Sequence, residues 1–246
     1  GAGRGFHFHS GESPASVVTG LTVMNGSSAD GGGIYCGAGS SPTITNCRIG
    51  GNSAGYGGGL YCHDDSSPAL TNCVIGGNAA GSGGGLFCGQ GSSPASTNCT
   101  ITGNSGGDYG GAIYSPQGAL TLTDVTITGN WADYGGAVYN GSGAATLSDA
   151  SITGNDVRTG GLGAGLYNSD GTLSVIVTPG FGVSDVEGLS AYAGYAGFFG
   201  QGSDMHVLEG GLAYLKDADT QLDLNTGWDV DGGTWFLGVG LARRWR

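Results

Sequence analysis

PALTNCVIGGNAAGSGGGLFCGQGSS (68–93) is one copy of a unit that recurs down the first two-thirds of the chain. Before it stands PTITNCRIGGNSAGYGGGLYCHDDSS (42–67), and before that a partial unit, VVTGLTVMNGSSADGGGIYCGAGSS (17–41). After it come PASTNCTITGNSGGDYGGAIYSPQG (94–118), ALTLTDVTITGNWADYGGAVYNGSG (119–143) and AATLSDASITGNDVRTGGLGAGLYNSDG (144–171). A period in this range marks a stacked architecture, in which no unit buries its apolar face until a neighbour covers it.

Each unit carries short apolar clusters separated by turn chemistry. The first is Ile34-Tyr35-Cys36, Leu60-Tyr61-Cys62, Leu86-Phe87-Cys88, Ile113-Tyr114 or Val138-Tyr139. A Ser-Ser-Pro corner follows in three units, then a second strand such as Thr43-Ile44-Thr45, then a third centred on Ile49, Ile75, Ile101, Ile127 and Ile152. These isoleucines are spaced 26, 26, 26 and 25 residues apart. Segments of three to five residues between Gly/Asn/Ser corners are too short for helices. Three strands per unit, one unit per turn, give a parallel β-helix of about six coils, with the isoleucines stacked at ~4.8 Å.

The corners supply a second ladder. Asn52, Asn78, Asn104, Asn130 and Asn155 each follow a glycine, which tolerates φ > 0, and each amide has a counterpart one coil above and below to hydrogen-bond. Glycine runs at 57–59, 83–85, 110–111 and 135–136 predict a corner of close coil-to-coil approach.

Composition narrows the function classes. The 246 residues include 56 glycines without a Gly-X-Y period, which excludes collagen. Seven basic against nineteen acidic residues give a net charge of −12, a balance that repels nucleic acid. An acidic, Lys-poor, Gly/Ser/Thr/Asn-rich surface points to a secreted or bacterial cell-surface protein. The start at Gly1 reads as a mature form after removal of a signal peptide. No run of 18 apolar residues is present.

The combination GGGIYC…SSPTITNC followed by I and GN resembles the consensus of right-handed parallel β-helix repeat proteins of bacterial surfaces, including polymorphic outer-membrane-protein-like passengers. The resemblance covers residues 17–171, with 1–16 as an N-terminal capping segment. It implies right-handed coiling and a role as adhesin, matrix component, stalk or, in some members, carbohydrate-active enzyme.

Six cysteines form two columns, Cys36/Cys62/Cys88 and Cys47/Cys73/Cys99. Both columns end in the same coils, at Ser115 with Val125 and at Asn140 with Ala150. Joint loss is what paired residues show, so three disulfides are expected: Cys36–Cys47, Cys62–Cys73 and Cys88–Cys99. The alternative is two columns of free thiols acting as small apolar core residues.

Candidate chemistry is sparse. His63-Asp64-Asp65 is the densest polar cluster, but the equivalent turns, Gly37-Ala38 and Gly89-Gln90, offer neither acid nor base, so it reads as a solvated turn. His7 and His9 alternate on a strand and with Glu12 have metal-ligating character; the competing reading is the outer face of a capping strand whose Phe6 and Phe8 cover the first coil. Asp30, Asp108 and Asp133 do not recur in every coil. The column Tyr35, Tyr61, Phe87, Tyr114, Tyr139, Tyr167 is expected to point outward, either gripping a glycan or protein or stacking for stability. No catalytic, cofactor or metal site is expected.

Residues 172–246 differ. Leu222, Leu224, Trp228 and then Trp235, Leu237, Val239 and Leu241 alternate with polar residues or glycine, with Asp231-Gly232-Gly233 as a hairpin between them. LEGGLAYLKDADTQLDLNTGWDVDGGTWFLGVGLARRW resembles the closing strands of outer-membrane transporter-like β-barrels. Four or five strands do not close a barrel alone. Either several chains contribute strands, or the segment is an antiparallel β-meander whose apolar face packs on a neighbour. The leading expectation is a non-enzymatic extracellular or cell-surface structural protein that self-associates, with a filament as one form. The alternatives are an outer-membrane-anchored adhesin with a β-helix passenger and a polysaccharide-active enzyme.

Overall fold

The computed structural model describes residues 3–162, 165–168 and the strands 173–177, 180–182, 189–199, 205–217, 220–229 and 234–243, with side chains described at 3–158 and 165–167. The chain divides into two units, Gly1–Thr172 and Leu173–Arg246. Among the described residues there is no helix.

The first unit is a parallel β-solenoid of about six coils. Each coil has four strands, not the three expected from sequence. One turn runs through Leu60–Cys62 in sheet 1, Ala69–Thr71 in sheet 2, Val74–Gly76 in sheet 3 and Ala79–Ser82 in sheet 4, then returns to sheet 1 at Leu86–Cys88. The unexpected strand, in sheet 4, recurs as Ser27–Asp30, Ser53–Tyr56, Ser105–Tyr109 and Trp131–Tyr134. Its second residue is small in five coils (Ser28, Ala54, Ala80, Gly106, Ala132) and Val157 only in the last, so that position gives little of the β-branched signal by which strands are recognised.

Inward positions stack in register. Ile75 pairs with Ile49 and Ile101, and Leu86 with Leu60 and Ile113. Ile49, Ile75, Ile101 and Ile127 are wholly buried, as are Ile34, Leu60, Ile113 and Val138 opposite. Each such side chain contributes roughly 1.5–3 kcal/mol when buried, and only coil stacking buries it. At the N-terminal end Phe6–Phe8 adds a seventh strand to sheet 1, with Phe6 over Ile34 and Phe8 over Cys36. Their rings stack at 6.2 Å, and Val18 and Val23 of the first coil are buried.

Among the described residues, the corners after sheets 2, 3 and 4 each hold a residue with positive φ. Between sheets 2 and 3 these are Gly20, Asn46, Asn72, Asn98, Asp124 and Asp149; between sheets 3 and 4, Asn25 and then Gly51, Gly77, Gly103, Gly129 and Gly154. Gly31, Gly57, Gly83, Gly110 and Gly135 turn sheet 4 into sheet 1. Asn and Asp are the non-glycine residues that tolerate this conformation best. At the last corner a Cβ on Gly59 would meet the Gly85 carbonyl oxygen at 2.6 Å, and one on Gly85 the Ala112 oxygen at 2.6 Å. That position becomes Ala112 and Ala137 in later coils; the one before it stays glycine, where a Cβ on Gly58 would meet the Gly84 oxygen at 2.6 Å and one on Gly84 the Gly111 oxygen at 2.6 Å.

Two asparagine ladders run along the solenoid. In the buried one, Asn52 donates from its backbone N–H and from Nδ2 to Asn78 Oδ1, both at 3.0 Å. Asn78 does the same to Asn104, Asn104 to Asn130, and Asn130 to Asn155. The second amide hydrogen reaches back to a carbonyl, as from Asn78 Nδ2 to Ile49 O at 3.0 Å. The exposed ladder, which sequence reading missed, links Asn72 Nδ2 to Asn46 Oδ1 at 3.2 Å and Asn98 Nδ2 to Asn72 Oδ1 at 2.8 Å.

In the second unit, Leu189–Phe199, Met205–Asp217, Thr220–Asp229 and Thr234–Arg243 pair antiparallel in sequence order, and Leu173–Val177 and Gly180–Gly182 pair with Leu189–Phe199. The side chains of Leu222, Leu224, Trp228, Trp235, Leu237, Val239 and Leu241 lie outside the described residues, as does the Asp231-Gly232-Gly233 turn.

The ladders differ in worth. Asn104→Ala strands the Asn78 N–H and one Asn78 amide hydrogen in a dry corner, at about 1–3 kcal/mol each. Asn98→Gly keeps the left-handed turn and removes a bond exposed to water, for less than about 1 kcal/mol. Urea unfolding followed by circular dichroism should show a large midpoint drop for the first and a small one for the second.

Candidate functional site

The cysteines are a correction to the sequence reading: all six are free and buried, and the pairs Cys36–Cys47, Cys62–Cys73 and Cys88–Cys99 are not bonded. Within a coil, a whole sheet 2 strand separates the two columns. Cys36 ends the sheet 1 strand, Thr43–Thr45 follows, and Cys47 lies beyond it. The nearest thiols are those one coil away, with Cys36, Cys62 and Cys88 in direct register. Cys47 Sγ donates to Val18 O and Thr45 O, and Cys73 and Cys99 repeat the pattern.

Joint loss of the columns has another cause. Cys88 Sγ donates to Ser92 O at 3.3 Å, Ser115 Oγ to Gly118 O at 2.8 Å, and Asn140 Nδ2 to Gly143 O at 2.9 Å. From Cys88 onward the first-column residue donates into the following corner, and its identity changes where the Ser-Ser-Pro corner is replaced; the second column passes to apolar Val125 and Ala150. In the three Ser-Ser-Pro units the corner has its own stack: Ser41 Oγ accepts from Ser67 N and Ser67 Oγ from Ser93 N.

Burial pushes the Cys62 thiol well up and the Cys88 thiol up to about 12. Cys99 moves down, because it accepts from the Cys73 thiol and from the Cys73 N–H at 3.4 Å.

The His63-Asp64-Asp65 cluster occupies the corner from sheet 1 to sheet 2. Asp64 and Asp65 both have positive φ, at 53° and 61°, matching Ala38 and Gly39 one coil earlier. The turn's geometry explains the two aspartates. His63 Nδ1 pairs with Asp64 Oδ1 at 2.5 Å, and the His63 ring stacks on Tyr61 at 5.9 Å.

His7 and His9 are exposed with ring centroids 4.4 Å apart. Glu12 is engaged elsewhere: Oε2 accepts from Ser40 Oγ at 2.7 Å and from Ser10 N at 2.9 Å, which lowers its carboxyl to about 2. Asp133 pairs with Arg158 at 3.2 Å, and Arg158 also lies over the Trp131 ring at 4.8 Å. Among the described residues no group of three or more His, Cys, Asp or Glu is placed to hold a metal ion.

The most extensive outward feature is aromatic. Tyr35 stacks on Tyr61 at 5.1 Å and Tyr61 on Phe87 at 4.8 Å; the line continues through Tyr114 (5.6 Å), Tyr139 (5.2 Å) and Tyr167 (5.1 Å). His7 caps it edge-on at 4.9 Å from Tyr35, with Arg4 over the same ring at 4.7 Å. Sequence reading missed a second column at the end of the sheet 4 strands, which leans across the glycine corner onto the first. Tyr109 meets Tyr114 at 5.3 Å and Tyr139 at 5.0 Å, Tyr134 meets Tyr109 at 5.6 Å and Tyr167 at 6.0 Å, and Tyr56 meets Phe87 at 5.4 Å. The missing signal was the aromatic just before the glycine run at Tyr56, Tyr109 and Tyr134. Burial raises the phenols of Tyr35 and Tyr114, and that of Tyr61 to about 12. Along the first column the ring contacts are mostly with each other, so what solvent meets is a row of ring edges and hydroxyls.

A family model described as the right-handed β-helix region matches residues 2–115, and one described as the Chlamydia polymorphic membrane protein repeat matches residues 124–141. No curated protein and no solved structure matches the chain.

Two outcomes check these assignments. A thiol reagent should modify essentially no cysteine in the folded protein and six after denaturation; modification of fewer than six without reductant would show a bond. Glu12 has a depressed folded value, so its contribution is complete above the ordinary 4.5 and lost as pH falls through about 2. Amide exchange at Ser10, whose N–H donates to the carboxylate, should show an added acceleration only over that acid window, and in Glu12→Gln at all pH values.

Proposed function

We propose that this chain, a polymorphic-membrane-protein-like β-helix repeat protein, is a non-enzymatic structural component of a bacterial surface. The observation that carries this reading is the continuous stack, in register through sheets 1 to 3 and with bulges in sheet 4. Four sheets and a buried amide ladder continue through about six coils, which makes a rigid spacer of ~30 Å at ~4.8 Å per coil. The polymorphic membrane protein repeat supports location at the outer membrane or cell surface. The strands of residues 172–246 then serve for anchoring or self-association, with filament assembly as the extended form. Anchoring in the outer membrane, with the solenoid displayed as an adhesive passenger, is the second reading, and the same repeat match favours it.

Protease treatment of intact cells, with antibody against the solenoid, tests the surface assignment; protection of the epitope until the cells are broken would overturn it. Negative-stain imaging of the native protein with and without detergent separates the readings. Detergent-independent polymers support the self-associating spacer, and strict detergent dependence supports the anchored passenger.

A further inference from the structure

We propose that the tyrosine array is a site of oxidative phenol coupling, in which dityrosine links form between successive coils of one chain. This does not depend on where the protein resides. It rests on the ring contacts of the two outward columns and the register that fixes them.

Phenol coupling needs two tyrosyl radicals whose ortho carbons meet before either radical is lost. Here the neighbours are held by the strands themselves. Tyr35 and Tyr61 are paired residues of adjacent strands with rings 5.1 Å apart and 17° from parallel. Tyr114 and Tyr139 are likewise paired, at 5.2 Å, and Tyr139 and Tyr167 at 5.1 Å. Tyr109 touches both Tyr114 and Tyr139 across the corner. Partners fixed in place react as if at very high local concentration, whereas coupling between molecules awaits diffusion. The rings are also reachable, since Tyr35, Tyr61, Tyr109, Tyr114, Tyr139 and Tyr167 are all half-exposed.

The co-reactant is a peroxide used by a one-electron peroxidase. Each phenol gives up one electron and its hydroxyl proton. The two radicals form one carbon–carbon bond between ortho positions, and the ortho hydrogens leave those carbons as the rings regain aromaticity and their hydroxyls. Two protons and two electrons are lost in all, and they reduce one hydrogen peroxide to two waters.

Phe87 gives the array a signature. It stands between Tyr61 and Tyr114, touches both, and has no phenol to couple. The array is therefore two sets, Tyr35 with Tyr61, and Tyr109, Tyr114, Tyr134, Tyr139 and Tyr167 together, while Tyr56 has its ring contact with Phe87 and belongs to neither. Links form within each set and none crosses position 87.

The test treats the purified full chain, dilute enough to be monomeric, with hydrogen peroxide and a haem peroxidase. Dityrosine fluorescence, denaturing gels and peptide mass mapping are the readouts. The expected result is dityrosine in chains of unchanged size, each link removing two hydrogen atoms and mapping within one of the two sets. Tyr35→Phe and Tyr61→Phe, each checked for native circular dichroism, both lose the first link and retain the others. Phe87→Tyr gains a link from position 87 to Tyr61. Dityrosine confined to joined chains, links mapping across position 87 in the unaltered protein, or oxidation of these tyrosines without any link would each overturn the proposal.

Discussion

The fold depends on one conformational constraint: a coil of four short strands closes on itself by reversing the chain's local twist at the corners after sheets 2, 3 and 4. Where the corner follows sheet 2, sheet 3 or sheet 4, the structure places one left-handed residue; the corner after sheet 1 uses two at Ala38-Gly39 and Asp64-Asp65, one at Gly91, and none at 116–118 and 141–143. Because the bend is supplied by single residues, every coil has the same circumference to within a residue or two. Inward side chains therefore fall on inward side chains, and the core is a set of columns. Had the corners been made by loops of varying length, the isoleucines would not meet.

That constraint also explains the corner composition. Where nothing but the backbone conformation is demanded, Gly, Asn and Asp exchange freely, as from Gly20 through Asn46, Asn72 and Asn98 to Asp124 and Asp149. Where the chain must also touch the next coil, only glycine remains, as at Gly58, Gly84 and Gly111. Where a buried donor and acceptor are needed, the residue is asparagine, and Asn52 to Asn155 satisfy each other along the axis. The His63-Asp64-Asp65 turn belongs to the first kind. Asp64 and Asp65 take the positive φ that Ala38 and Gly39 take one coil earlier.

Much of this was legible in the sequence, for a reason peculiar to stacks: a period makes each column readable several times over. The isoleucine and asparagine columns could be read because each combines a fixed spacing with a residue type of narrow use. The fourth strand could not, since Ser28, Ala54, Ala80 and Gly106 share smallness and nothing else. The cysteines misled for a physical reason. Two columns that end together look coupled, yet what ends is the Ser-Ser-Pro corner they flank, after which Ser115 and Asn140 take over its hydrogen bond. The Tyr56, Tyr109 and Tyr134 column was hidden because it is discontinuous along the chain and becomes continuous only by leaning across the corner.

The buried asparagines carry one more consequence. From Asn52 to Asn130 every carboxamide donates toward the later coil, and from Asn78 to Asn155 every one accepts from the earlier coil. Five amide dipoles thus lie head to tail, as peptide dipoles do in an α-helix, in a dry interior that screens them little. The strands contribute almost nothing of this kind, since sheet dipoles nearly cancel. The exposed Asn46, Asn72 and Asn98 ladder runs the opposite way but in water, where its field is damped. The solenoid is therefore an electrically polar rod, negative toward its first coil, and each added coil lengthens the same dipole.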